Sequence, residues 1–169
     1  MERFSNKIEE LMKTAEIEIE NFDLKEAEKI IASFSELPSI SGFPYKIILV
    51  KNAEGKIYSK FRQWDTAYNL KHWTSGIYNL DRLRIITDEN VLSETESDLL
   101  KEHLAKLEKI HLPESINEEK AIILDGSEWK FGVCLANKNI DYCWRAATED
   151  IQLFVPIINV LRAKYLDRI

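Results

Sequence analysis

Cysteine, proline and glycine are scarce in this chain, which holds two, four and five of them among 169 residues. The two cysteines, Cys134 and Cys143, are too few for a disulfide framework and have the wrong spacing for a zinc knuckle. Little glycine and proline argues against a low-complexity or disordered chain. Because there is no long apolar run and no apolar signal segment at the amino terminus, we expect a cytoplasmic protein with reduced thiols.

Local catalytic motifs are also missing. The sequence has no P-loop, no G-x-G-x-x-G, no G-x-S-x-G, no H-E-x-x-H and no C-x-x-C. His103 and His111 are eight residues apart, about 80° around a helix, and therefore do not form a metal-ligand pair. We therefore predict no cofactor, no metal site and no catalytic residue, and we expect binding rather than catalysis.

The charge balance is acidic, with a formal net charge of −6 at pH 7. Such a field repels phosphate backbones and anionic lipid surfaces over much of the molecule. We therefore expect neither nucleic acid nor a membrane as a partner, and another protein, basic in character, as the partner that the charge favours.

Hydrophobic periodicity predicts one α+β domain over residues 1–169, in which antiparallel strands pack against helices. Residues 1–37 predict a helical hairpin. Its first helix has an apolar stripe over residues 4–22, and its second begins at Asp23, with Glu26 three residues later as in a capping box. Residues 44–169 are expected to supply the mixed sheet and further helices.

The elements predicted in the middle of the chain are strands at 45–50 and 56–64, an irregular stretch at 65–80 and a strand at 83–87. Gly55 marks the turn between the first two strands. Ser93 and Glu96 form a capping box, which predicts a helix that ends before Pro113.

The last third of the chain predicts a three-stranded antiparallel meander with strands at 121–124, 128–136 and 140–146. Alternate residues, including Trp129 and Trp144, give this sheet one strongly apolar face, which a helix must cover. Thr148 is the expected cap of that helix, and Pro156 either kinks it or begins a new one.

The register of the last two strands decides whether the cysteines meet. A turn at residues 138–139 brings Cys134 and Cys143 opposite each other, whereas a turn at 137–138 leaves them diagonal. Both registers keep the apolar faces aligned, so the pattern leaves the pairing of the thiols open.

The densest aromatic stretch is the candidate partner-binding surface, together with two acidic residues that follow it: Trp64, Tyr68, His72, Trp73, Tyr78, Asp88 and Glu89. Aromatic residues with charged neighbours are typical of interface anchors and rims. In this hypothesis Trp64, Trp73 and Tyr78 are the anchors, while the two carboxylates steer a basic partner. In the alternative, the rings cover the first sheet as core residues.

The layout after residue 44 combines a hairpin, a capped helix, a D-G turn before Trp129, a strand bearing Trp144 and a final helix. In this layout and in its acidity the chain resembles small bacterial immunity proteins of interbacterial toxin systems. The resemblance implies an antidote that binds a toxin domain, often a basic nuclease, and blocks its active site. It contains no diagnostic motif, so it assigns no functional residue.

Two other functions remain open. A small-molecule binding protein or an enzyme would hold its site between the sheet and the helices, with Arg84 or Arg145 meeting an anionic group. A structural subunit would form a homodimer through the amino-terminal helices.

Overall fold

The computed structural model describes residues 2–38, 43–75, 83–116, 126–136, 138–146, 148–165, 167 and 169. For residues 2–9, 73 and 74 it describes the backbone alone. Within these residues the chain forms helices and one six-stranded antiparallel sheet. The predicted α+β class is therefore confirmed. No helix in the described ranges has both the length and the apolar character needed to cross a membrane.

The helices are α1 (Glu2–Glu20), α2 (Thr66–Thr74), α3 (Glu94–Lys109) and α4 (Val155–Ala163), with a 3-10 helix (Glu149–Leu153) before α4. The strands are β1 (Lys29–Leu37), β2 (Tyr45–Lys51), β3 (Ile57–Trp64), β4 (Ile85–Val91), β5 (Glu128–Leu135) and β6 (Lys138–Trp144). Their spatial order is β4-β3-β2-β1-β5-β6, and every neighbouring pair is antiparallel.

The amino-terminal half of the predicted helical hairpin is confirmed as α1, but its second helix is wrong. That segment contains β1, a strand inside the sheet that pairs with β2 on one side and β5 on the other. Alternation of apolar and hydroxyl side chains along Ala32, Ser33, Phe34 and Ser35 has the period of a strand, not of a helix. The backbone hydrogen bonds of β1 to β2 and β5 therefore stabilise a strand here more than the capping pattern at Asp23 stabilises a helix.

The hairpin of β2 and β3 is confirmed, and Gly55 in its turn has a φ of +82°, in the left-handed region that favours glycine. The stretch predicted as irregular contains α2 instead. Asp65 begins this helix, because its carboxylate Oδ1 accepts a hydrogen bond from the Tyr68 backbone N–H at 3.0 Å.

Strand β4 extends past the predicted end at residue 87 and includes the acidic residues Asp88 and Glu89. It lies at the edge of the sheet, where charged side chains reach solvent and also discourage pairing with another chain.

The two C-terminal strands form the expected hairpin, and Trp129 lies opposite Trp144. The predicted first strand of the meander, residues 121–124, lies outside the described residues, and the edge of β5 that it would occupy is taken by β1. Leu135 pairs with Lys138, so neither predicted register, with a turn at residues 138–139 or at 137–138, is correct. Both predicted registers and the observed one keep the same residues on the apolar face, so the alternation could not distinguish them.

The apolar face of the sheet packs against α3 and α4, as the meander pattern predicted. Phe154, at the start of α4, contacts Phe131 and Tyr142 with ring centroids 5.1 and 4.7 Å apart. Pro156 lies in the first turn of α4, so it begins a new helix after the 3-10 turn. The capping box of Ser93 and Glu96 starts α3 as predicted.

The opposite face of the sheet carries α1, whose buried side chains Leu11, Ala15 and Ile19 pack over β2 and β3. Beside α1, on the same face, a concavity of about 310 Å³ opens over β1, β5 and β6. We call it the β1–β5–β6 concavity.

Candidate functional site

Trp64 is a core residue, which corrects its predicted role as an exposed anchor. It is 1% exposed and packs against the buried side chains of α1. The reason is its place at the end of β3 on the face that α1 covers, so α1 shields the ring from any partner.

The other two predicted anchors are not tested by the described geometry. Trp73 lies in α2, and its side chain is outside what the structure describes. Tyr78 lies outside the described residues altogether. Their roles as anchors stay predictions.

The predicted residues Tyr68 and His72 do come together, and they meet a residue from the other side of the connection, Arg84. The two rings lie 4.1 Å apart between centroids, and the Arg84 guanidinium lies 5.5 Å from the centre of the Tyr68 ring. The side chains of Tyr68, His72 and Arg84 form a surface that we call the α2 platform. Aromatic rings beside an arginine are the residue types that dominate protein-binding hot spots.

Asp65 fixes the arginine of this platform. Its Oδ2 lies 3.2 Å from Nε of Arg84, while its Oδ1 caps α2 at Tyr68. One carboxylate thus holds both the helix start and the guanidinium. Arg84 remains 60% exposed, so its free side faces solvent.

Asn69 holds the platform against the sheet, and sequence reasoning missed it. This buried side chain donates from Nδ2 to the Arg84 carbonyl at 2.9 Å and accepts on Oδ1 from the Arg84 N–H at 2.8 Å. The available signal was a polar residue on the inward face of a short helix, which needs a buried partner.

Asp88 and Glu89 point to opposite faces of β4, because neighbouring residues of a strand alternate. The Leu92 N–H donates to the Ile57 carbonyl, and the Asp65 N–H donates to the Arg84 carbonyl. These bonds show that the backbone N–H and C=O groups of the even-numbered residues of β4 point toward β3. The Glu89 N–H therefore points to the free edge, and Asp88 Oδ1 accepts it at 2.9 Å.

This bond gives Asp88 a local task, which is to satisfy a backbone donor that another strand could otherwise use. The Glu89 carboxylate lies 3.6 Å from the buried ammonium of Lys60. The steering role of both acidic residues stays a prediction.

The β1–β5–β6 concavity is lined by the side chains Ser33, Ser35, Lys46, Lys130, Asp141 and Cys143, with Gly132 between them. Both lysines bind glutamates of α1, Lys46 with Glu20 and Lys130 with Glu16. Burial raises the pKa of the Cys143 thiol, and the neighbouring Glu128 carboxylate raises it further, so this group is neutral at pH 7.

The arginines proposed for an anionic ligand both have carboxylate partners, Arg84 with Asp65 and Arg145 with Glu128 at 3.1 Å. In the described ranges no group of three or more His, Cys, Asp or Glu residues could hold a metal ion.

No protein-family model matches the chain, and no curated protein matches it either. The resemblance to immunity proteins therefore remains one of layout and acidity. Function has to be inferred from the residues themselves and from their geometry.

Proposed function

We propose that this protein is a non-enzymatic module that binds another protein through the α2 platform. Its partner is basic, and neutralisation of a toxin domain by an immunity protein is the specific form of this function. The observation that carries the proposal is the fixed aromatic and guanidinium surface formed by Tyr68, His72 and Arg84.

Rigidity is what makes this surface suitable for binding. Asn69 ties α2 to the backbone of Arg84, and Asp65 pairs with the guanidinium, so part of the freedom of the Arg84 side chain is already lost before association. Interfaces that are ordered before binding avoid this entropic cost, which is about 0.5–1.5 kcal/mol for each immobilised side chain.

The net charge supports the choice of a basic partner. A charge of −6 attracts a cationic protein and accelerates its association at low ionic strength. Salt screens this attraction over about 10 Å at 0.1 M, so we expect retention of the partner to weaken as salt is added.

The test is affinity capture of the tagged protein from a lysate of its own host, with mass spectrometry of bound material at low and high salt. The matched variants are His72→Ala on the platform and His103→Ala on α3, since both histidines are half-buried residues of a helix. We expect His72→Ala to weaken binding of the partner by more than about 1 kcal/mol, roughly fivefold, and His103→Ala to leave it unchanged.

Equal loss of partner binding in both histidine variants, with unchanged unfolding curves, would show that the platform is not part of the interface. Recovery of no protein partner, under conditions where candidate toxins are expressed, would contradict the proposed function itself.

A further inference from the structure

Three polar side chains that line the β1–β5–β6 concavity have no partner among the residues that the structure describes. They are the hydroxyls of Ser33 and Ser35 and the carboxylate of Asp141. Ser35 is only 2% exposed as a residue, and its side chain lines the open concavity, where a ligand or solvent can hydrogen-bond to its hydroxyl. All three groups can accept hydrogen bonds.

The positive and the negative side chains that line the concavity differ in whether they have an ion-pair partner. Lys46 is bound by Glu20, and Lys130 is bound by Glu16 and lies 3.5 Å from Glu128. Both ammonium groups are therefore compensated, while Asp141 forms no ion pair within the described ranges. The group without an ion-pair partner in this concavity is therefore the exposed carboxylate of Asp141, within the described ranges.

Gly132 keeps the space between these groups open. A Cβ atom at this position would lie 2.7 Å from Oγ of Ser33 and 2.7 Å from Oδ1 of Asp141. Only a residue without a side chain allows the hydroxyl and the carboxylate to approach the strand from both sides.

We propose that the β1–β5–β6 concavity binds the guanidinium or ammonium group of a basic side chain carried by the protein partner. Asp141 supplies the countercharge, and the hydroxyls of Ser33 and Ser35 accept the remaining hydrogen bonds. This inference rests on the proposed function, to which it adds a second contact on the face that also carries α1.

The size and charge of the site favour this occupant. A volume of about 310 Å³ lies at the small end of ligand pockets and suits a single long side chain. An anion would have to displace Glu16 or Glu20 from the lysines and would also face the Asp141 carboxylate.

The first experiment is a titration of the isotopically labelled protein with N-acetyl-arginine amide, followed by ¹H–¹⁵N NMR. We expect shifts of the amides of Ser33, Ser35 and Gly132, and no such shifts with the neutral N-acetyl-glutamine amide. Asp141→Asn should weaken binding about tenfold, because a charge-assisted hydrogen bond is lost. Asp98→Asn, an exposed carboxylate on α3, is the control and should bind as the wild type does.

Shifts of equal size with both amides, or equal affinity in Asp141→Asn, would overturn the cation site. Shifts of these amides with phosphate or acetate but not with the arginine derivative would show an anion site and would overturn it as well.

Capture of the partner tests the cation site separately from the proposed function on which the site rests. A captured partner that Asp141→Asn retains at wild-type affinity overturns the site and leaves the proposed function standing. Binding of the arginine derivative by a protein that captures no partner overturns both the function and a partner side chain as the occupant.

Discussion

Asn69 and Arg84 are joined by two hydrogen bonds between one side chain and one backbone residue, at 2.9 and 2.8 Å. The carboxamide of Asn69 presents a donor and an acceptor side by side, as a residue of a neighbouring strand would. Asp65, directly after β3, donates its N–H to the Arg84 carbonyl at 3.1 Å, and Asn69 supplies the acceptor for the Arg84 N–H just before β4 begins. The start of β4 and the α2 platform depend on this pair.

We expect Asn69→Ala to destabilise the protein by about 2 kcal/mol, because it removes a buried side chain that makes two hydrogen bonds and leaves the Arg84 N–H without its acceptor. Urea unfolding measures this change as a lower midpoint at constant slope. Asn159→Ala in α4 is the control, since Asn159 is exposed, and should stay within about 0.5 kcal/mol of the wild type. An equal change of the urea midpoint in the two variants would show that the hydrogen bonds between Asn69 and Arg84 contribute nothing to stability.

Glu28 and Lys60 form a buried ion pair that ties the connection before β1 to β3, with the ammonium 2.7 Å from the carboxylate. The hydrogen bond from Lys60 lowers the pKa of Glu28 below its usual 4.5, and the bond from the Lys25 backbone lowers it further. Because the folded value is the lower one, the pair stabilises the fold above about pH 4.5. This stability is lost as pH falls through the folded pKa.

We therefore expect Glu28→Gln to lower the urea midpoint at pH 7 and to flatten the decline of stability below pH 4.5. The control is Glu102→Gln, which removes an exposed i,i+4 pair with Lys106 and should follow the wild-type profile. Parallel pH profiles for Glu28→Gln and the wild type would contradict a role of this carboxylate in acid stability.

Cys134 and Cys143 should not form a disulfide within one molecule. Cys134 lies opposite Asn139 and Cys143 opposite Lys130, so the thiols are offset by four residues, or about 13 Å along the strands. A disulfide requires Cα atoms within about 7 Å. After treatment with diamide, mass spectrometry of the unreduced monomer should show both thiols still alkylatable. A monomer that has lost two hydrogens would contradict the observed register.

Gly132→Ala should cost about 1 kcal/mol, because the new methyl group displaces the side chains of Ser33 and Asp141. The cost stays moderate since both groups can rotate. The same variant should bind the arginine derivative less tightly, as it fills part of the concavity. Gly126→Ala is the control, because its Cβ would meet only ordinary contacts, 3.5 Å from the Arg145 carbonyl. Equal stability and equal binding in the two variants would exclude this role for Gly132.

Local signals in the sequence were sufficient for several elements. The capping box of Ser93 and Glu96 and the left-handed turn at Gly55 depend on residues within a few positions of each other. The apolar face of β5 and β6 follows from strict alternation, because a residue's face depends only on its parity along the strand.

Tertiary structure decided what these signals left open. The segment of β1 holds both a helical stripe and a strand alternation, and pairing with β2 and β5 selects the strand. The offset of the cysteines followed from the pairing of Leu135 with Lys138, since registers that preserve parity satisfy the same pattern. Trp64 became a core residue because α1 packs on its face of the sheet, and the pairing of β5 with β1 and β6 placed Asp141 and Ser33 on either side of Gly132. Burial and strand pairing depend on which residues, distant along the chain, lie close together in the fold, and local sequence patterns do not specify these contacts.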